Sequence, residues 1–341
     1  MNCCTECFRD TQIRIMISAS NKIGNCDFCG KMDVPVCSVD EQSDLSDLIS
    51  EILSMYEESD VGEPLFSMLI NDWGVFNKNL ASAKDLIAAF CSTIYGGDDH
   101  LYNKRVRVPP DYSENYGVFS GHSWGEFADA IKRKNRFHNR YFNADQFVSF
   151  LSYSTRKYIK ETEFYRARVC SSKNGYQTVE MGPPPSGKRR PGRVNPEGIG
   201  VLYLASDEST ALSEVRASVF DYVTVGTFRL LKDINVVDIS SLDCISPALY
   251  SSGLESLAAN TRVFSDMAKE IAKPLRRNDS VLEYLPTQYI TEFIKSKGYA
   301  GVSYASTMGT GGNNIAVFDD AIFQCTSVHT VEIRRVDYIY D

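Results

Sequence analysis

Near residue 161 the chain changes its hydrophobic period, and this change limits the possible folds more than any other feature. Before it, apolar residues recur at helical spacing. In "SVDEQSDLSDLISEILSMYEESDVG", residues 38–62, Leu45, Leu48, Ile49, Ile52 and Leu53 fall on one helical face. "AKDLIAAFCSTIY", "SWGEFADAIKRKNRF" and "NADQFVSFLSYSTRKYI" read as further helices, the last with Asn143 or Asp145 at its start. Beyond residue 161 come short runs rich in β-branched and aromatic residues: "EFYRARV", "GVLYLA", "VTVGTFRL", "INVVDIS", "AGVSYA", "NNIAVF" and "TVEIRRV". These read as strands. Helices are expected between them at about 208–219, 254–272 and 286–297, with Pro286 in a first turn. The pattern predicts an α+β architecture in which a mixed-sheet domain follows a mainly helical one. A Pro/Gly/Lys/Arg-rich stretch, residues 171–198, reads as a long loop. Loops of that length are usually functional or disordered. No internal repeat is visible.

Six of the ten cysteines lie in the first 37 residues. Cys4 and Cys7 form one C-x2-C pair and Cys26 and Cys29 a second, with eighteen residues between the pairs. Two such knuckles bring four thiolates to one tetrahedral Zn²⁺, as in a zinc ribbon. Gly30 follows the second pair, where a tight turn favours glycine. Cys3 and Cys37 are spare, and Cys3 is an alternative to Cys4. Four protein ligands leave no open position, so the expected zinc is structural.

The 341 residues allow two or three domains. The expected division is a zinc ribbon over 1–40, a helical domain over 41–155 and a catalytic domain over 156–341. No apolar run approaches the ~20 residues that span a bilayer. "MNCCTECFRD" lacks the apolar region of a signal peptide, so a cytoplasmic protein is expected. The net charge of −8 argues against a general nucleic-acid binder, although "RKNR" and "KRRPGR" are locally basic.

One stretch, "GRVNPEGIGVLYLASDESTALSEVR", places Arg193 in a loop, Tyr203 in a strand and Glu214 in the next helix. A guanidinium grips phosphate with paired donors. A tyrosine ring stacks on a flat heterocycle. The helix buries Ala211, Leu212, Val215 and Val219 in this reading, and Glu214 stands beside that face. By residue type alone, such an arginine, tyrosine and glutamate are more often solvated surface, core and surface.

The surrounding text decides otherwise. "FYRARV", "GPPP", "GRVNPEG", "VLYLASDESTALSEV", "EYLPTQYITEFIKSKGYAGVSYAS" and "NNIAVF" occur in the order seen in RES domains, and the resemblance covers about residues 161–325. The N-terminal part is similar, less closely, to the zinc-bearing helical region of some RES proteins, sometimes grouped with HEPN domains. The RES resemblance implies an ADP-ribosyltransferase-like fold that consumes NAD⁺ as substrate, often as a toxin paired with an antitoxin. It places the family's arginine, tyrosine and glutamate on Arg193, Tyr203 and Glu214, and its serine on Ser306. The early arginine falls on Arg166, with Arg168 the alternative. Gln288 and Asn314 also match family positions; Asn314 reads better as satisfying local backbone groups.

The chemistry suits these types. Cleaving nicotinamide from NAD⁺ passes through an oxocarbenium-like transition state. Glu214 is expected to stabilise that charge or hold a ribose hydroxyl, and Tyr203 to face nicotinamide. Arg193 and Arg166 are expected to hold pyrophosphate, and Ser306 to bond nicotinamide or its ribose. The expected activity is an NAD⁺ glycohydrolase or phosphorylase acting as a toxin or phage-defence effector, with an antitoxin or trigger as partner. One alternative is ADP-ribosylation of a macromolecule. Another is a HEPN-type ribonuclease using Arg133 and His138 of "RKNRFH". A third is a binding module that senses NAD⁺. No G-x-G-x-x-G marks a dinucleotide fold in which NAD⁺ is a recycled cofactor.

Overall fold

The computed structural model describes residues 1–77, 79–96, 101–273, 279–308 and 311–337. The chain is α+β, with two compact units whose segments interleave in sequence. One unit comprises 1–124, 140–153 and 241–265; the other comprises 125–139, 154–240 and 266–341. Residues 241–265 therefore lie outside the unit that holds most of the expected catalytic span, and residues 125–139 lie inside it.

The first unit begins with a three-stranded antiparallel sheet of Asn2–Cys4, Ile23–Gly24 and Val34–Ser38, the last in the middle. The helix Thr11–Ala19 starts at Asp10, whose carboxylate accepts from the Gln12 and Ile13 amides. The helix expected over 38–62 is shorter, Asp44–Ser54, with its start fixed by a reciprocal Ser43–Ser46 cap. Leu45, Leu48, Ile49, Ile52 and Leu53 are all buried. Beyond it Glu57–Pro64 is a strand paired with Arg105–Arg107. Its acidic side chains meet basic partners across the ribbon, Glu57 with Arg107 at 2.7 Å and Glu58 with Lys104 at 2.5 Å. The residues that read as a polar helical face are thus one side of a charged ladder. Helix Ala83–Tyr95 ends on the left-handed Gly96.

Two further helices stop short of expectation. The helix expected over 123–137 runs as an α-helix over Trp124–Asp129 and a π-turn over Ala130–Lys134, and then ends. The helix starting after Asn143, whose side chain accepts from the Gln146 amide, covers only Ala144–Leu151. The residues after it turn to strand and join the large sheet.

Among the described residues of the second unit, that sheet has eight strands: β1 Thr155–Tyr158, β2 Glu163–Cys170, β3 Leu202–Ala205, β4 Tyr222–Leu230, β5 Ile234–Asp238, β6 Gly301–Ala305, β7 Asn313–Val317 and β8 Phe323–Glu332. Their order is β8-β4-β2-β3-β7-β6-β5-β1, antiparallel except for the parallel pair β5–β6. Alternation puts Phe164, Leu202, Leu204, Phe228 and Leu230 in one core and Ala167, Ala205, Val223 and Val225 in another. Ala211, on helix α1 Glu208–Glu214, completes the second core. Helix α1 is shorter than expected, so Val219 lies beyond it and is exposed instead of buried. Helices α2 Leu254–Ala272 and α3 Leu285–Ser296 follow, and the two units divide α2 after Ser265. No helix among the described residues is long and apolar enough to cross a membrane.

Candidate active site

Register builds the floor of the site. Tyr165 on β2 pairs with Ala205 on β3, Ala205 with Asn314 on β7, and Asn314 with Tyr304 on β6. This row crosses four strands and lines a cavity of about 380 Å³. Arg166, Arg190, Arg193, Tyr203, Glu214 and Tyr284 are also in its walls. The volume falls in the range typical of small-molecule sites.

Glu214 is the last residue of α1, a helix started by Asp207, whose side chain accepts from the Thr210 amide at 2.8 Å. Its Oε1 accepts two hydrogen bonds, from Ser306 Oγ at 2.7 Å and Asn314 Nδ2 at 2.6 Å. Oε2 has no hydrogen-bond partner among the described residues. Asn314 was expected to satisfy nearby backbone; instead it orients the carboxylate. The reason is its place in the row, which points its amide into the cavity.

Tyr203 Oη donates to Asn195 Oδ1 at 2.7 Å and accepts from the Val194 amide at 3.3 Å. Burial holds its hydroxyl well above the usual phenol range. The loop passes so close that a Cβ at Gly192 would lie 2.7 Å from that hydroxyl and 2.8 Å from Asn195 Oδ1, so only glycine fits there. Burial likewise pushes Tyr304 up to about 12, against the opposing charge of Arg193. Both phenols are therefore neutral across the physiological range.

The arginines differ. Arg166 Nη1 is buried with no hydrogen-bond partner among the described residues. Burial and the neighbouring charge of Arg168 pull its guanidinium down to about 10. A buried, unpaired donor of this kind is costly unless a ligand takes it. Arg168 does not line the cavity; it donates to the Glu180 carbonyl and covers the Tyr176 ring. Arg193 donates through Nη1 to the carbonyls of Ile271 and Ala272, at 3.1 and 3.0 Å, and lies 5.4 Å from the Tyr304 ring centre. It thereby caps the C-terminus of α2, where cations are favoured. Part of the guanidinium expected to hold phosphate is committed to that cap. Arg190 is exposed at the cavity mouth, and reading the sequence did not single it out.

Gln288, expected to touch NAD⁺, does not line this cavity. It is buried behind the loop, and its amide donates to the Gly192 and Asn195 carbonyls at 2.7 and 2.9 Å. Arg133 and His138 are not brought together on one helix. Arg133 is ion-paired with Asp129 at 3.1 Å, and His138 lies past the end of the π-turn, exposed.

In the first unit Cys4, Cys7, Cys26 and Cys29 converge, with all four Sγ atoms within 4.8 Å of one another. Three separations are 3.9, 3.4 and 3.4 Å. Sulfurs at about 2.3 Å from one tetrahedral zinc would lie about 3.8 Å apart, so the set fits that ion. The Cys29 amide donates to Cys26 Sγ at 3.4 Å, and Gly30 is left-handed with φ of 72°. Burial pushes Cys4 up to about 11 and Cys7 higher still. Burial also opposes a thiolate at Cys26, but the amides of Cys29 and Phe28 outweigh it and bring that thiol down. Packed this closely, four thiolates need a cation among them. Cys3, the spare, stands outside the cluster and faces the Cys37 carbonyl.

The RES domain family model matches residues 163–341, just over half of the chain. No curated protein matches the chain. One solved structure, described as "Crystal structure of the M.tuberculosis MbcT-MbcA toxin-antitoxin complex", is similar at 16% identity, over 55% of this chain and 91% of that one, with a TM-score of 0.31. With that match over the strands and helices that build the cavity, the chain belongs to the RES domain family.

Proposed function

We propose that this protein consumes NAD⁺ by breaking the bond between nicotinamide and ribose. The observation that carries this reading is the Glu214 carboxylate, with one oxygen held by Ser306 and Asn314 in a cavity that also holds arginines. In the reaction the C1″–N bond breaks and its electron pair leaves with nicotinamide, which departs neutral and needs no acid. Positive charge grows on the ribose, and a fixed anion beside it stabilises the transition state more than the ground state. Two neutral donors on Oε1 hold the carboxylate in place and leave Oε2 toward the sugar. Arg166, with its unpaired buried donor, and Arg190 supply positive charge for the diphosphate. Tyr203 is the flat wall for nicotinamide.

Water as acceptor gives glycohydrolysis, and phosphate gives phosphorolysis. Transfer to a macromolecule would share the same bond-breaking step. Depletion of NAD⁺ would halt growth, which suits a toxin or defence effector restrained by an antitoxin or by a trigger sensed through the first unit. The cysteine cluster holds a structural zinc in this reading. The test is to incubate the purified chain with NAD⁺, with and without phosphate, and resolve products by mass. Free ADP-ribose or its 1″-phosphate supports the reading and names the acceptor. Labelled protein or nucleic acid with no free product favours transfer instead.

A further inference from the structure

One face of α3 reads the backbone of the loop that walls the cavity. Thr287, Gln288 and Thr291 occupy positions i, i+1 and i+4 of that helix and are 2%, 5% and 0% exposed. Gln288 donates to the carbonyls of Gly192 at 2.7 Å and Asn195 at 2.9 Å. Thr287 Oγ1 donates to the Arg193 carbonyl at 2.7 Å, and Thr291 Oγ1 to the Val194 carbonyl at 2.9 Å. Four consecutive carbonyls of a segment outside any helix or strand are thus each satisfied from one helix face. Asn195 continues the pattern from within the loop. Its amide donates to the carbonyls of Arg190, Pro196 and Ile199, and its oxygen accepts from Tyr203.

Simple helix packing does not require this. Apolar side chains of equal size would fill the same space but leave the Gly192, Arg193 and Val194 carbonyls without donors, Asn195 alone keeping the Gly192 amide, and backbone groups packed inside a protein are rarely left so. The clamp fixes the loop atoms that set where Arg190, Arg193 and the Tyr203 hydroxyl lie. Glu214 is held separately, by Ser306 and Asn314. Binding groups and the bond-breaking carboxylate therefore have independent supports.

We propose that Thr287, Gln288 and Thr291 are positioning residues that set the affinity of the site for its dinucleotide without setting the rate of bond cleavage. This inference rests on the NAD⁺-consuming reading above. The test uses the full chain and Thr291→Val, which keeps side-chain shape and removes one donor. The expected result is a KM for NAD⁺ raised about tenfold, the scale of one lost buried hydrogen bond, with kcat within about twofold. Amide hydrogen exchange over residues 189–199 should quicken by a similar factor, and Thr291→Ser should restore both. Should Thr291→Val not fold, Gln288→Met takes its place, with the same expectations. An unchanged KM alongside faster exchange overturns the proposal, as does a fall in kcat with KM unchanged. A wild-type chain that leaves NAD⁺ intact is a different failure. It removes the underlying reading, while the exchange data still show whether α3 holds the loop.

Discussion

Asn314 Nδ2 lies 2.6 Å from Glu214 Oε1, joining the middle of the sheet to the end of helix α1. The two residues are 100 positions apart, and the cross-strand row Tyr165–Ala205–Asn314–Tyr304 is what aims the amide at the carboxylate. Ser306 reaches the same oxygen from the segment that follows β6.

On the proposed NAD⁺-cleaving reading, that arrangement makes Asn314 a positioning residue for Glu214. Asn314→Ala should lower kcat about tenfold or more, with little change in KM, because the carboxylate loses a fixed orientation that matters most in the transition state. Ser306→Ala should act in the same way. Since both bond one oxygen, the double variant should depart from the sum of the single effects. Steady-state kinetics on NAD⁺ checks this.

The helix bearing Glu214 depends on its cap. Asp207→Ala removes the acceptor for the Thr210 amide and should cost about 1 kcal/mol, read by denaturant unfolding. Hydrogen bonds from Ser209 and the Thr210 amide hold the Asp207 carboxyl well below the usual carboxylate range. A folded pKa below the unfolded one stabilises at pH above the unfolded value, near 3.8, and this is lost as pH falls further. The difference between wild type and Asp207→Ala should therefore be constant near neutrality and shrink in strong acid.

In the first unit, Asp72 is buried against Arg262, whose Nε lies 2.9 Å away, and Tyr56 donates to it at 3.2 Å. Removing the cation leaves an uncompensated buried carboxylate. Arg262→Ala should cost about 2 kcal/mol, below the range for fully buried pairs because the Arg262 side chain is 54% exposed. Burial already raises the Asp72 carboxyl above its ordinary value, and Arg262 opposes that shift. With the folded pKa above the unfolded one, the penalty is absent at pH below the unfolded value and develops as pH rises through the folded one. Urea titrations at about pH 4 and pH 7 should show the larger loss at neutrality.

The cysteine cluster makes its own test. Metal analysis of the purified chain should find about one zinc per molecule. Cys26→Ser, or a strong chelator, should lower the melting temperature sharply, since a structural zinc contributes directly to folding. A chain free of zinc, with Cys26→Ser as stable as wild type, would remove the metal from the account.

Much of this was legible in the sequence, because most of the information is local. The strands of the large sheet are short runs rich in β-branched and aromatic residues, and Leu254–Ala272 falls where its helical period places it. What sequence could not show depends on partners far along the chain. Glu57–Pro64 is a strand because Arg105–Arg107 lies across from it, and Thr155–Tyr158 because β5 does. Arg193 was legible as a cation, but not its donation to the end of α2, some 78 residues on. Gln288 matched a family position, yet only the fold shows that its amide faces the loop backbone and not the cavity. The interleaving of 125–139 and 241–265 has a practical consequence: a fragment starting at residue 156 would break both units, so activity is best measured on the full chain.

The central claim is that Glu214 drives NAD⁺ cleavage. The most direct measurement is NAD⁺ loss by the purified full-length chain beside Glu214→Gln, which keeps the side-chain size and removes the charge. The account predicts release of nicotinamide by the wild type and a rate at least about a hundredfold lower in the variant, as for loss of a main electrostatic stabiliser. Equal rates in the two proteins would contradict it.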